Sequence, residues 1–178
     1  MLSSSGISTA LGLRPQAMLS GIISDSRFSA SQVFGTQGAN LGVRHFSSKG
    51  DLTSLWFRHL DPLWKKEQLS FAGLTTRDNL FCLERLAWDR GMRVVARLDH
   101  QQVDDNQLLH TLEGTALLSV PVTENMLRRA TWSMEVGRAI ATCPPEHLVA
   151  PCTPRKVRSV GWLEEPLVTW VIAPIAQA

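Results

Sequence analysis

Between Asp51 and Leu69 the apolar positions Leu52, Leu55, Trp56, Leu60, Leu63 and Trp64 recur near the 3.6-residue spacing of a helix face. Pro62 interrupts the run, which predicts two short helices or a kink rather than one rod. A cleaner pattern follows over Thr76–Arg90. Thr75 and Thr76 offer N-caps, Leu80, Leu83 and Ala87 form a stripe with Phe81 and Trp88 beside it, and Gly91 suits a C′ stop. From Met92 to Leu98 the period changes to two, with Met92, Val94, Ala96 and Leu98 on one side and Arg93 and Arg97 on the other. That is the pattern of a half-buried strand.

Further on, Asp104 or Asp105 is placed to cap a short helix through Glu113, closed by Gly114. Thr115–Val122 is apolar and reads as a second strand, which Pro121 confines to an edge or an end. Strand, helix and strand in succession predict a βαβ crossover. Thr123–Thr142 predicts a third helix, with Met126, Leu127, Ala130, Met134 and Ala141 along one side. Four prolines between Cys143 and Pro154 then predict an extended connector. The chain closes on the uncharged apolar stretch Leu167–Ile175. These elements predict a single small α+β domain with helices packed on a short sheet, the alternative being an all-α fold.

The first 46 residues differ in kind. They carry Arg14, Arg27 and Arg44 against a single acid, Asp25, and nine serines fall within residues 1–31. A basic, Ser-rich, acid-poor N-terminus has the composition of an organellar transit peptide. Arg44-His45-Phe46-Ser47 resembles the junction at which mitochondrial presequences are cut. Residues 1–46 are therefore expected to be a mitochondrial leader, a plastid leader being the alternative. Residues 47–142 are expected as the globular domain, 143–160 as a Pro-rich connector and 161–178 as an apolar interaction tail.

Charge and chemistry narrow the function. Residues 47–178 carry 15 Lys+Arg and 15 Asp+Glu, and a neutral chain disfavours nucleic acid, whose phosphates reward a basic surface. The chain lacks the Gly-x-Ser-x-Gly, His-Glu-x-x-His, Gly-x-Gly-x-x-Gly and phosphate-loop patterns, so no catalytic or cofactor-binding residue is assigned. His59, His100, His110 and His147 are expected at the surface. Cys143-x₃-His147-x₄-Cys152 has metal-like spacing but no adjacent fourth ligand, and no metal site is assigned. Arg85, Arg90, Arg93 and Arg97 alternate with Glu84, Asp89 and Asp99, the pattern of a salt-linked solvated face that could also meet anionic lipid.

All six tryptophans lie after residue 47, and the tail holds two of them. Trp162, Leu163, Trp170, Val171 and Ile172 are the expected partner-binding residues, with Glu164 and Glu165 at the rim. The function expected is that of a non-catalytic accessory subunit bracing other subunits of a mitochondrial inner-membrane complex, on its matrix side. The complex would be a respiratory-chain complex or ATP synthase. A peripheral mitoribosomal protein and a small matrix enzyme are the alternatives.

Gly73-Leu74, Asp78 and Arg90-x-x-Arg93-Val94-Val95-Ala96-Arg97-Leu98 resemble stretches of the small, all-helical matrix-side subunit of the cytochrome bc₁ complex. The resemblance implies helix over Met92–Leu98, whereas Gly91 and the Val94-Val95 pair favour a strand there.

Overall fold

The computed structural model describes residues 19–112, 122–143 and 154–174. Seven strands form one mixed sheet in the order β2-β1-β3-β7-β4-β5-β6, flanked by helices on both faces, so the fold is α+β and the all-helical alternative is excluded. The strands are β1 (Gly21–Asp25), β2 (His45–Ser48), β3 (Phe71–Thr76), β4 (Met92–Asp104), β5 (Gln107–Leu112), β6 (Arg155–Val160) and β7 (Leu167–Pro174). β1 pairs in parallel with β2 and β3, while β7 runs antiparallel between β3 and β4. β5 and β6 extend the sheet antiparallel beyond β4.

β7 is central and alternates strictly between two cores. Leu167, Val171 and Ala173 join the cluster containing Phe34, Trp132, Val136 and Ile140, contributed by α1 (Ser29–Asn40) and α6 (Trp132–Thr142). Val168, Trp170 and Ile172 join the cluster containing Trp56, Leu60, Trp64, Leu80 and Leu83 on the opposite face. A strand buried on both faces has little room for charge, which is why 167–174 is apolar apart from Thr169. The expectation of an interaction tail is corrected accordingly: Trp170, Val171 and Ile172 are fully buried in the chain's own sheet and Leu163 is buried beside it. Of the five expected partner-binding residues, Trp162 alone is exposed, at 63%.

The expected leader is corrected as well. β1, α1 and the start of β2 all fall before residue 47, and β1 lies between β2 and β3 with its five residues buried. Cleavage between Arg44 and Ser47 would remove a central strand and a covering helix. α1 escapes a search for apolar periodicity because its buried face is Ser31, Phe34, Gly35 and Gly38. Small residues at helical spacing let the helix lie close on the sheet, and a Cβ at Gly38 would stand 2.7 Å from Ile22 Cδ1. Residues 1–18 lie outside the described residues.

Around Pro62 the expected break takes a specific form. α2 (Thr53–Leu55) widens into a π-helical turn at Trp56–Leu60, where Asp61 N–H donates to Trp56 O, and α3 (Asp61–Lys66) then starts with Pro62 in its first turn. Pro62 has no N–H to give to the preceding turn, so the wide turn and the new start share one cause. α4 (Arg77–Trp88) matches expectation, with Thr76 capping Asn79 N–H and Gly91 at φ +70 beyond its end.

Further expectations are overturned. Over residues 105–112 the expected helix is absent; β4 and β5 form a hairpin through Asp105 and Asn106, and antiparallel pairing replaces the start of the expected βαβ crossover. Leu108, His110 and Leu112 alternate inward along β5, a period of two that overrides the capping signal. Residues 155–160, expected within the connector, form the edge strand β6. The third helix is split into α5 (Glu124–Leu127), capped by Thr123, and α6. The strand expected over Thr115–Val122 lies, up to Pro121, outside the described residues, as do 144–153 of the connector.

Candidate functional site

Parallel α/β sheets commonly bind ligands beyond the carboxyl ends of their strands, where neighbouring crossovers leave in opposite directions. Here that point lies between β1 and β3. Asp25, at the end of β1, is fully buried and receives Arg27 Nε and Nη2 at 3.0 and 2.7 Å, Arg27 N–H at 3.1 Å and Asn79 Nδ2 at 3.4 Å. Ser31 Oγ accepts from Asp25 N–H at 2.7 Å and donates to Leu74 O, tying α1 to β1 and β3. The Asp25 carboxylate raises the Arg27 pKa through this bidentate bond. The crevice is thus closed by an internal ion pair.

A second constellation crosses the sheet. His100 on β4 and His110 on β5 are directly opposed, with their Nδ1 atoms 2.6 Å apart. His100 Nε2 lies 2.8 Å from Thr169 Oγ1, and His110 Nε2 lies 2.8 Å from Ser159 Oγ. Trp132 of α6 covers both rings, at 4.2 and 5.0 Å between centroids. Four polar side chains on four adjacent strands therefore form one buried chain, β7-β4-β5-β6. One proton between the two Nδ1 atoms, with the hydroxyls completing each end, satisfies the chain with both imidazoles neutral.

Burial holds both rings in that state. It pushes His100 well below the usual imidazole value, with His110 adding to the shift, and lowers His110 to about 4. The expectation of surface histidines is corrected for His100 and His110, while His59 is exposed as expected. The inward alternation of Leu98 with His100, and of Leu108 with His110, is the signal that would have found them. The 2.6 Å nitrogen separation holds a proton, not a metal, because two Zn–N bonds of about 2.0–2.1 Å keep their nitrogens farther apart. Among the described residues no group of three or more His, Cys, Asp or Glu is arranged to hold a metal ion. Cys143 is buried, whereas His147 and Cys152 lie outside the described residues.

The other buried acids are each neutralised in place. Asp99 receives Arg77 at 2.8 Å and Arg97 at 3.0 Å, and Asp61 receives Lys65 at 2.7 Å and Arg90 Nε at 3.0 Å. Glu135 is paired with Arg129 and Arg138. Among the described residues no buried side-chain nitrogen or oxygen lacks a hydrogen-bond partner. A pre-organised catalytic centre usually keeps some polar capacity for its substrate, and these clusters spend theirs internally.

Apolar surface tells a different story. Phe57 on the π-helical turn is 67% exposed and Phe81 on α4 is 57% exposed, and both line a cleft of about 520 Å³ together with Trp56 and Leu86. Phe81, Arg85 and Trp88 follow at i, i+4 and i+7 on the outer face of α4. Arg85 lies over Phe81 at 5.2 Å and over Trp88 at 4.5 Å, and Arg93 covers Trp88 at 5.3 Å. This is the densest exposed aromatic surface among the described residues. Periodicity alone had placed Phe81 and Trp88 beside the buried stripe without showing that they are left uncovered.

Comparison of the chain with protein-family models, curated proteins and solved structures finds no match to any of them.

Proposed function

We propose that this protein is a non-catalytic accessory subunit that docks on other subunits through the aromatic–arginine face of α4 and the π-helical turn. The observation that carries the proposal is the exposure of Phe57 and Phe81 at one apolar cleft and of Trp88 next along α4, with Arg85 over Phe81 and Trp88 and Arg93 over Trp88. Aromatic residues and arginine dominate the energetics of protein interfaces, and isolated monomers seldom leave such a cluster bare. The internal satisfaction of the polar clusters supports a binding role over a catalytic one.

The host we propose is a mitochondrial inner-membrane complex, a respiratory complex or ATP synthase, reached from the matrix side. This part rests on residues 1–18, which contain four serines, Arg14 and no acid. Residues 19–178 carry 17 Lys+Arg against 16 Asp+Glu, so a neutral domain again disfavours the mitoribosomal alternative. Native gel electrophoresis of a mitochondrial extract tests the host. Migration with a respiratory complex or ATP synthase supports the proposal, while sedimentation with rRNA, or turnover by the isolated protein, overturns it.

A further inference from the structure

We infer that the free edge of β2 is a strand-addition site for an acidic, extended peptide segment of a partner protein. Among the described residues β2 ends the sheet and pairs only with β1. Arg44 O and Ser48 O accept from Ile22 N–H and Ser26 N–H on that strand. Parallel pairing alternates, so the N–H and C=O groups of His45 and Ser47 face away from β1. A cleft of about 750 Å³ runs along β2, lined by residues 44–49 and, from α2 and the π-helical turn, by Ser54, Leu55, Arg58 and His59. The opening suits a strand of four or five residues pairing with these backbone groups.

The charges of the cleft select the occupant. Arg44 and Lys49 flank the two ends of β2, and Arg58 and His59 line the helical wall. Elsewhere Arg27, Arg77, Arg90, Arg97, Arg129 and Arg138 are each paired with a carboxylate, while among the described residues Lys66, Arg85, Arg93, Arg155, Lys156 and Arg158 lie outside this cleft without one. Among the described residues Arg44, Lys49 and Arg58 have no carboxylate within ion-pair distance, and all three side chains are exposed. Asp51 is the one acid in the lining, and its carboxylate accepts Thr53 N–H at 2.7 Å. A basic edge repels basic strands and rewards acidic ones, so the same charges guard the edge and specify its partner. The chain's own first 18 residues, with Arg14 and no acid, have the wrong charge to fill the cleft.

The test titrates the full ¹⁵N-labelled chain with a capped Asp-Val-Glu-Val-Asp peptide and follows amide shifts and hydrogen exchange. The His45 and Ser47 amides should shift and become protected, and the affinity should fall as salt is raised. A Lys49→Glu/Arg58→Glu variant should weaken binding by about tenfold or more. It should also gain binding to a Lys-Val-Lys-Val-Lys peptide. Ser47→Pro should abolish binding while Ile22 and Ser26 amides stay protected, because the Ser47 N–H lies outside the β1 ladder. If Ser47→Pro unfolds, the charge-reversal variant decides alone. The inference is overturned if the acidic peptide does not bind, if charge reversal leaves its affinity unchanged, or if inorganic phosphate reproduces the shifts without protecting His45 and Ser47.

Discussion

At the residue scale the buried histidine pair makes stability depend on pH. His110 has a folded pKa of about 4, below the ~6.5 of an unfolded imidazole. A depressed folded value means that the unfolded chain binds more protons between these limits, so stability is complete above about pH 6.5 and is lost as pH falls toward 4. For His110 alone the loss between pH 7 and pH 5 is about 2 kcal/mol, and His100, shifted in the same direction, adds to it. Urea denaturation at the two pH values reads this directly; equal midpoints would show that the pair titrates normally. Close packing makes a second prediction. A Cβ at Gly73 would lie 2.3 Å from Trp170 Cζ2 inside the sheet. Gly73→Ala should therefore destabilise by about 1–3 kcal/mol or more, measured by the same method, while Ala at an open position of ordinary φ would not.

At the element scale, what was legible in the sequence followed local signals that tertiary context did not override. Thr76 and Gly91 bounded α4 because cap and stop act within one turn. β4 was legible as a strand but not in phase. Its register shifts between Val94 and Ala96, so Met92 and Val94 meet the core that contains Trp56 while Ala96 and Leu98 meet the one that contains Trp132. A strict alternation places all four on one face and cannot show the bulge. The histidine chain was illegible for a related reason: it joins four strands whose pairing order sequence spacing does not reveal. β7 was misread because its missing charges looked like a sticky tail when they record burial on both faces. Its removal is accordingly predicted to be ruinous. Deleting residues 161–178 takes out the strand between β3 and β4 and should yield an unfolded or insoluble product, and Trp170→Ala alone should cost about 3–5 kcal/mol. A soluble, cooperatively folding deletion would contradict the placement of β7.

At the scale of the whole molecule, the sheet draws its strands from both ends of the chain, and this constrains processing. β1 and β2 form one edge of the sheet beside β3, and Leu19 just ahead of β1 is buried in the core, so any leader that is removed must end before Leu19. Intact-mass analysis of the protein from its native source should give an N-terminus at or before Leu19; a product starting at Ser47 would contradict the fold. Ser-rich, Arg-containing composition misled because β1 and α1 use serine and glycine for close packing, and a transit peptide uses the same residues for solubility. In the proposed role the two exposed surfaces would divide the work of recognition, the aromatic face of α4 supplying apolar contact area and the β2 edge directional pairing. The most direct test of the proposed role compares wild type with Phe57→Ala/Phe81→Ala/Trp88→Ala by native gel after import into mitochondria. These side chains are exposed, so the variant should show an unchanged circular dichroism spectrum and denaturation midpoint, yet run as free protein while the wild type runs with its complex. A variant that co-migrates with the complex as the wild type does would contradict the account.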